Sequence, residues 1–244
     1  MIPKIIHYCW FSEDKKPLSI RRCIKSWRRI MPDYEIREWD GKSCDFDSIP
    51  FVKQAVEHKN WAFDADYIRL YALYTEGGIY LDSDVFVYKR FDRFLNHTFF
   101  SGIERVPVAD DIHYYIETAI MGAQKNNPLV ACFLKYYQNR NFIFPDGSFD
   151  CTMMPRILTN IIQTYGYQQQ DETQMLSDGI TIYSTHFFDN ELVECHHSGI
   201  YARHRNYGSW IPGNRGMLYH LAKKYDYMPL YRRLEKIISK WKKK

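Results

Sequence analysis

Two carboxylates one residue apart, Asp82 and Asp84, are the side chains of this chain best suited to chemistry. They follow the short apolar run Ile79–Leu81, which predicts a buried strand. Because side chains alternate along a strand, both carboxylates are expected to point the same way at its C-terminal end. Open α/β sheets hold ligands at that end, and paired hard oxygen ligands suit Mg²⁺ or Mn²⁺. The alternative is an Asp-Ser-Asp surface turn that needs no ligand.

The segment before this strand predicts a helix that carries a further acid and a cation. Residues 62–76 have helical apolar spacing, and Gly77 with Gly78 is the expected stop signal. Asp66 and Arg69 are three residues apart on this helix and therefore share a face. An acid beside a guanidinium can hold two sugar hydroxyls. The alternative is an ordinary surface ion pair worth about 0.2–0.5 kcal/mol.

The N-terminal sequence predicts a β-α-β unit that leads into this helix and strand. A strand over residues 4–10 precedes an amphipathic helix over 17–31 and a strand over 34–39, and another helix follows Pro50. Strands that alternate with helices predict the α/β class, with a mostly parallel open sheet flanked by helices.

Three ordered blocks of the chain resemble the DXD-containing glycosyltransferases. This family includes bacterial capsule and lipopolysaccharide sugar transferases, the yeast initiating mannosyltransferase and, more distantly, the glucosylating toxin catalytic domains. The blocks are IPKIIHYCWF at 2–11, ADYIRLYALYTEGGIYLDSDV at 65–85 and YARHRNYGSW at 201–210. The resemblance implies a GT-A type fold and a metal-dependent, retaining transfer of a hexose from a nucleotide diphosphate sugar, with UDP-sugars favoured. It also implies a glycan or lipid-linked acceptor in surface polysaccharide biosynthesis.

The family pattern implies roles for individual residues. Asp84 resembles the direct ligand of Mn²⁺ or Mg²⁺, and Asp82 resembles a partner that reaches the metal through water and also touches the nucleotide. His204 lies where relatives have a histidine that completes the metal and diphosphate site. The remaining donor-binding residues implied are Trp10 at the base, Asp66 and Arg69 at the sugar, Tyr80 near the ribose, and Ser209 and Trp210 over the phosphates.

The acceptor side is expected to be built from the middle of the chain. Glu117 belongs to a segment that resembles an acceptor-side strand, so it joins Asp82 and Asp84 as an expected catalytic residue. Residues 106–111 and 144–150 are predicted to be acceptor-side loops.

Structural roles are the alternative for several of these residues. Trp10 follows an apolar strand, where a Trp often belongs to the core, and a single His such as His204 is often a satisfied polar group. Glu117 also fits a partly buried structural acid.

Length and charge predict one catalytic domain over residues 1–220 and a basic tail over residues 221–244. A chain of 244 residues that is 45% hydrophobic is long enough for one sizeable α/β core. The tail holds nine Lys or Arg against two acids, whereas the formal net charge of the whole chain is +4. Helical apolar spacing after Pro229 predicts a basic amphipathic helix, which either contacts an anionic membrane or docks on the catalytic domain.

Cysteine usage and hydropathy lead to an expectation about location. The six cysteines include no CxxC pair, the chain opens on a strand pattern, and no apolar run approaches the ~20 residues of a membrane span. We therefore expect a cytoplasmic enzyme, peripheral on the inner face of the plasma membrane where the tail binds lipid. Nucleic-acid binding is not expected, because the basic residues cluster in one tail rather than along an aromatic-lined groove.

Two other function classes are compatible with parts of the pattern. A phosphohydrolase of the haloacid dehalogenase type also places an Asp pair after an apolar strand and uses the first Asp as nucleophile. That type has its pair on the first strand, whereas here the pair follows Gly78. A non-catalytic sugar-binding module would keep the aromatic residues and Asp66 but would not need a complete metal and diphosphate site.

Overall fold

The computed structural model describes residues 1–40, 49–58, 61–108, 111–138, 140–190, 199–206, 217–225, 227, 230–231 and 234–235. The helices and strands in chain order are β1 (Ile5–Cys9), α1 (Leu18–Ile30), β2 (Glu35–Trp39), α2 (Pro50–Glu57), α3 (Trp61–Glu76), β3 (Gly78–Leu81), β4 (Val85–Val87), β5 (Phe99–Val108), β6 (Asp111–Ala123), α4 (Pro128–Tyr137), α5 (Met154–Ile162), β7 (Gln174–Met175), β8 (Ile180–Tyr183), β9 (Phe188–Asn190), β10 (Ala202–His204) and α6 (Met217–Tyr225).

A seven-stranded sheet in the order β2-β1-β3-β6-β5-β8-β7 forms the centre of the described fold, and a three-stranded sheet in the order β4-β10-β9 stands beside it. The pairs β1–β2, β1–β3 and β5–β8 are parallel, whereas β3–β6, β5–β6 and β7–β8 are antiparallel. Within the described ranges, five strands of the large sheet therefore run in one direction. The predicted α/β class with an open, mostly parallel sheet is confirmed, and β6 and β7 are its antiparallel strands.

Helices pack on the large sheet through two hydrophobic clusters, and β3 contributes side chains to both. Tyr80 packs into the cluster that contains α2, α3, α4 and α5. Its neighbours Ile79 and Leu81 pack into the other cluster, with α1. Because strand side chains alternate, this fully apolar strand is buried on both faces, as expected of a central strand.

The predicted stop at Gly77 and Gly78 holds α3 and β3 in their relative positions. The two glycines have φ angles of +70° and +111°, which side chains rarely tolerate. A Cβ on Gly78 would lie 2.7 Å from the Ile5 carbonyl oxygen of β1. The glycines therefore end the helix and also permit β3 to approach its neighbouring strand.

One prediction about the middle of the chain needs correction. The predicted loop at 106–111 is largely a β-hairpin, since β5 extends to Val108, and Val108 pairs with Asp111 at the start of β6. The β-branched residues and the continuous ladder extend both strands where the sequence suggested a loop. The predicted division at residue 220 stays a prediction; α6 spans that position, and its Tyr219 and Ala222 are buried in the cluster that contains α1.

Among the described helices, none combines the length and the apolar character required to cross a membrane.

Candidate active site

Asp82 and Asp84 lie in a tight turn between the two sheets. β3 ends at Leu81, the Asp82 N–H donates to the Ala119 carbonyl of β6 at 2.9 Å, and the Val85 N–H donates to the Asp82 carbonyl at 2.9 Å. The two carboxylates do lie together, but strand alternation, the reason given for it above, is wrong, because both follow the end of β3. The turn redirects the chain from the large sheet into β4, and the two carboxylates converge because of it.

His204 reaches this turn from the far end of the chain. β10 pairs antiparallel with β4, which places His204 opposite Val85. The His204 Nε2 atom lies 3.4 Å from Asp84 Oδ1 and 3.8 Å from Asp82 Oδ2. The Arg205 N–H also donates to the Asp84 carbonyl at 3.2 Å, so backbone contacts fix β10 against the turn. One ligand atom from each of the three side chains lies within 4.8 Å of the others, a set that could hold a metal ion.

Asp66 and Arg69 are joined to the same site rather than forming a surface ion pair. Arg69 is 6% exposed, and its Nη2 atom lies 3.1 Å from Asp66 Oδ1 and 3.5 Å from Asp82 Oδ1. Its Nη1 donates to the Thr118 carbonyl at 2.8 Å, and its guanidinium lies 4.8 Å from the centre of the Tyr80 ring. These contacts leave the guanidinium little freedom.

Tyr80, the third residue of β3, contacts Asp82 directly. Its hydroxyl donates to Asp82 Oδ1 at 2.9 Å. The structure therefore brings Asp66, Arg69, Tyr80, Asp82, Asp84 and His204 together, as the family resemblance implied.

The ionisation of this site is shaped by burial and by its excess of acids. Burial raises the pKa of Asp66 to about 7, although the nearby Arg69 works against the shift. Burial would lower the pKa of His204, but the carboxylates of Asp84 and Glu117 outweigh it and raise that pKa well above its ordinary value. Perturbed pKa values of this kind cluster at functional sites.

Glu117 lies behind His204 rather than at an open acceptor face. It is 2% exposed, its Oε1 accepts a hydrogen bond from the Ala119 N–H at 2.8 Å, and the same oxygen lies 3.4 Å from His204 Nδ1. Glu117 was expected next to the acceptor. It lies elsewhere, because β6 directs its side chain beneath the His204 imidazole.

Glu104 is a buried acid that the sequence interpretation missed. It is 6% exposed on β5, and burial together with the Glu117 charge raises its pKa to about 8. Its carboxylate belongs to a second group of potential ligands with Glu117 and His204. The available signal was a single acid at the end of the otherwise uncharged stretch 99–104, and such acids need a partner when they are buried.

The three aromatic and hydroxyl positions expected at the nucleotide are only partly described. Trp10 follows β1, whose C-terminal end lies at the same sheet edge as that of its parallel neighbour β3. Its ring lies 5.3 Å from Lys16 Nζ, and its indole N–H has no hydrogen-bond partner in the described part of the chain. Ser209 and Trp210 lie outside the described residues.

Comparison with known proteins relates the chain to glycosyltransferases. Residues 17–101 match the family described as the glycosyltransferase sugar-binding region containing the DXD motif. The chain is 23% identical over 220 residues to the uncharacterized glycosyltransferase L373 of Acanthamoeba polyphaga mimivirus, which covers 87% of this chain and 85% of that protein. It is 29% identical over 133 residues to inositol phosphoceramide mannosyltransferase 3 of Schizosaccharomyces pombe, covering 53% of this chain and 35% of that longer protein.

Solved structures of low sequence identity also align with the chain. The PaToxG glycosyltransferase is 16% identical with a TM-score of 0.46, covering 67% of this chain and 69% of that one. The galactosyltransferase LgtC, solved with donor and acceptor sugar analogs, is 13% identical with a TM-score of 0.40, covering 83% and 87%. The family match and the curated relatives confirm the resemblance seen in the sequence and favour a transferase over a phosphohydrolase or a sugar-binding module. Residues 17–101 thus carry the glycosyltransferase sugar-binding region with the DXD motif, and the relatives that the chain resembles are glycosyltransferases.

Proposed function

We propose that this glycosyltransferase moves a hexose from a nucleoside diphosphate sugar, with UDP-sugars as the favoured donors, to a glycan or lipid-linked saccharide in surface polysaccharide biosynthesis. The observation that carries the proposal is the convergence of Asp82, Asp84 and His204 beside the buried Arg69. A donor of this class presents a diphosphate and sugar hydroxyls together. The site offers possible metal ligands and a hydrogen-bonding acid–guanidinium pair within one small region.

The donor set fits Mn²⁺ or Mg²⁺. Asp82 and Asp84 supply carboxylate oxygens and His204 supplies an imidazole nitrogen, all within reach of one ion. Carboxylates suit both ions, and the imidazole favours Mn²⁺. When bound, the ion supplies neutralisation of the charge that develops on the departing diphosphate.

The protein's own groups orient the donor sugar. Arg69 is held by Asp66, by Asp82 and by the Thr118 carbonyl, so its remaining donor capacity has a fixed direction. With a pKa of about 7, the Asp66 carboxyl near neutral pH is divided between a form that donates and a form that only accepts hydrogen bonds. Together they suit two adjacent sugar hydroxyls. The proposal includes retention of the anomeric configuration, with the acceptor hydroxyl attacking on the face that the leaving group vacates.

The β5–β6 hairpin supports a saccharide acceptor. His113 and Tyr115 stack at 5.8 Å with an interplanar angle of 25°, and both are partly exposed. By strand alternation they share a face of β6 with Glu117, whose carboxylate lies next to His204. Amphipathic aromatic faces of this kind suit a sugar ring. Tyr115→Ala should reduce transfer to octyl glycosides while leaving donor hydrolysis intact, and unchanged transfer would remove this support.

The C-terminal segment supports peripheral contact with an anionic membrane on the cytoplasmic side. Leu218, Leu221 and Tyr225 of α6 are 70%, 41% and 48% exposed, and they lie on one side of the helix. Residues 221–244 have a net charge of +7, and each basic residue near an anionic surface contributes about 1 kcal/mol. Full-length protein should float with vesicles that contain phosphatidylserine but not with pure phosphatidylcholine. Recovery in the soluble fraction with both kinds of vesicle would contradict membrane contact, and equal flotation with both would contradict the role of the basic charge.

A donor screen tests the central proposal. Purified protein is incubated with Mn²⁺ and a panel of UDP- and GDP-sugars, and release of nucleoside diphosphate is followed. We expect slow hydrolysis of one donor, stopped by EDTA and reduced at least about 100-fold in Asp84→Ala. Asp14→Ala, the same change at an exposed acid, is the matched control. Metal-independent release, or a normal rate in folded Asp84→Ala, would contradict the proposed site.

A further inference from the structure

The imidazole of His204 lies between two sets of carboxylates, one on each ring nitrogen. Nε2 faces Asp84 Oδ1 at 3.4 Å and Asp82 Oδ2 at 3.8 Å, whereas Nδ1 faces Glu117 Oε1 at 3.4 Å. A histidine that binds a metal through one nitrogen usually donates its other N–H to a carboxylate or carbonyl, which fixes both the tautomer and the ring orientation.

Glu117 is held rigidly enough to serve as that carboxylate. Its Oε1 accepts from the Ala119 N–H at 2.8 Å, and the Ser101 hydroxyl donates to its backbone carbonyl at 2.6 Å. The opposite residue on β5 is Gly102, where an added Cβ would lie 3.5 Å from the Glu117 Cβ and 3.1 Å from the Phe188 Cβ. The side chain is therefore confined by β5 and β9 as well as by its own strand.

His204 Nδ1 is the atom that Glu117 would orient. The atom is buried and has no well-formed hydrogen bond in the described part of the chain, and the Glu117 oxygen lies slightly beyond ordinary hydrogen-bonding distance. A small rotation of the ring toward Glu117 would close that gap. Hydrogen bonds at such sites commonly tighten only when the ligand is bound.

We infer that Glu117 is a positioning residue, which accepts a hydrogen bond from His204 Nδ1–H and so presents the Nε2 lone pair to a divalent ion held with Asp82 and Asp84. The inference rests on the metal site of the proposed function, and it replaces an acceptor-side role for Glu117 with one exerted through His204. The strand pairing that brings β10 to β4 places the imidazole next to Glu117 of β6, as this role requires.

The test is the affinity of the full-length protein for Mn²⁺ alone, read from the electron paramagnetic resonance signal of the free ion. Glu117→Asp keeps the charge but withdraws the oxygen from Nδ1, and we expect about 10–100-fold weaker binding. Glu57→Asp, the same change on the exposed face of α2, is the matched control and should bind like wild type. If Glu117→Asp folds and also binds like wild type, the inference is overturned.

A double-mutant cycle separates positioning from a general structural effect. If Glu117 acts through the imidazole, Glu117→Asp should cost no further affinity in a His204→Ala background. A full additional loss in that background would overturn the inference. Glu117→Met, whose side chain has a similar length but no oxygen to accept the Nδ1–H, serves if the shorter Asp side chain lowers the melting temperature, and wild-type affinity in that variant would equally overturn the inference. Failure of the wild-type protein to bind Mn²⁺ would instead overturn the proposed metal site itself.

Discussion

The Asp66 carboxyl gives a stability test that needs no substrate. Its side chain is 13% exposed, and burial raises its pKa from 3.8 to about 7 despite the Arg69 ion pair. Between these two values the folded chain keeps a proton that the unfolded chain has released, so the folded state binds more protons and stability falls as pH rises. For one such group, linkage predicts that the free energy of unfolding falls by about 2–3 kcal/mol from pH 5 to pH 8.

Asp66→Asn removes this titration while keeping nearly the same shape. We expect its stability, relative to that of wild type, to increase by about 2–3 kcal/mol over the same pH interval. Urea unfolding followed by tryptophan fluorescence at several pH values, with EDTA present, measures the difference. Asp14→Asn, at an exposed position, should run parallel to wild type and controls for the substitution itself. If Asp66→Asn also ran parallel to wild type, the carboxyl would be titrating in its ordinary range and the argument from burial would be refuted.

Other parts of the site and core give further expectations. Tyr80→Phe deletes the 2.9 Å hydrogen bond to Asp82, so we expect a loss of about 1 kcal/mol in unfolding free energy and weaker Mn²⁺ binding, and unchanged values for both would contradict the contact. Gly122→Ala would place a Cβ 2.1 Å from the Phe100 ring, and the melting temperature should fall by several degrees, whereas a normal melting curve would show that the ring can move aside. Mn²⁺ at saturating concentration should raise the melting temperature of the wild-type protein but not of Asp84→Ala, and an equal rise in both would place the ion elsewhere.

Local sequence patterns were sufficient to predict the helix and strand that carry the expected donor-binding residues. The apolar period of α3, the Gly77–Gly78 stop and the buried run of β3 are set by neighbouring residues, so they could be read in order along the chain. The pairing of Asp66 with Arg69 followed from helical spacing alone, although its burial beneath the Asp82 side chain did not.

The remaining features depend on contacts between distant segments, which periodicity does not encode. The turn at Asp82 arises because β3 is paired on both sides while β4 joins another sheet. The position of His204 required the β4–β10 pairing, and the family resemblance supplied it where spacing could not. The place of Glu117 beneath that histidine depends on both pairings together, and no local pattern distinguishes it from an acid at an open edge.

The β4–β10 pairing also affects when the ion site forms during folding. The two carboxylates are available once β3 and β4 have formed, but their histidine arrives only with one of the last described strands. Closing so long a loop is slow and entropically costly, and domains of this size often fold through intermediates. Newly synthesised chains would therefore pass through a stage with most of the large sheet formed and no complete ion site. Uptake of Mn²⁺ during refolding should follow the burial of the core in time and mark the final docking of β10.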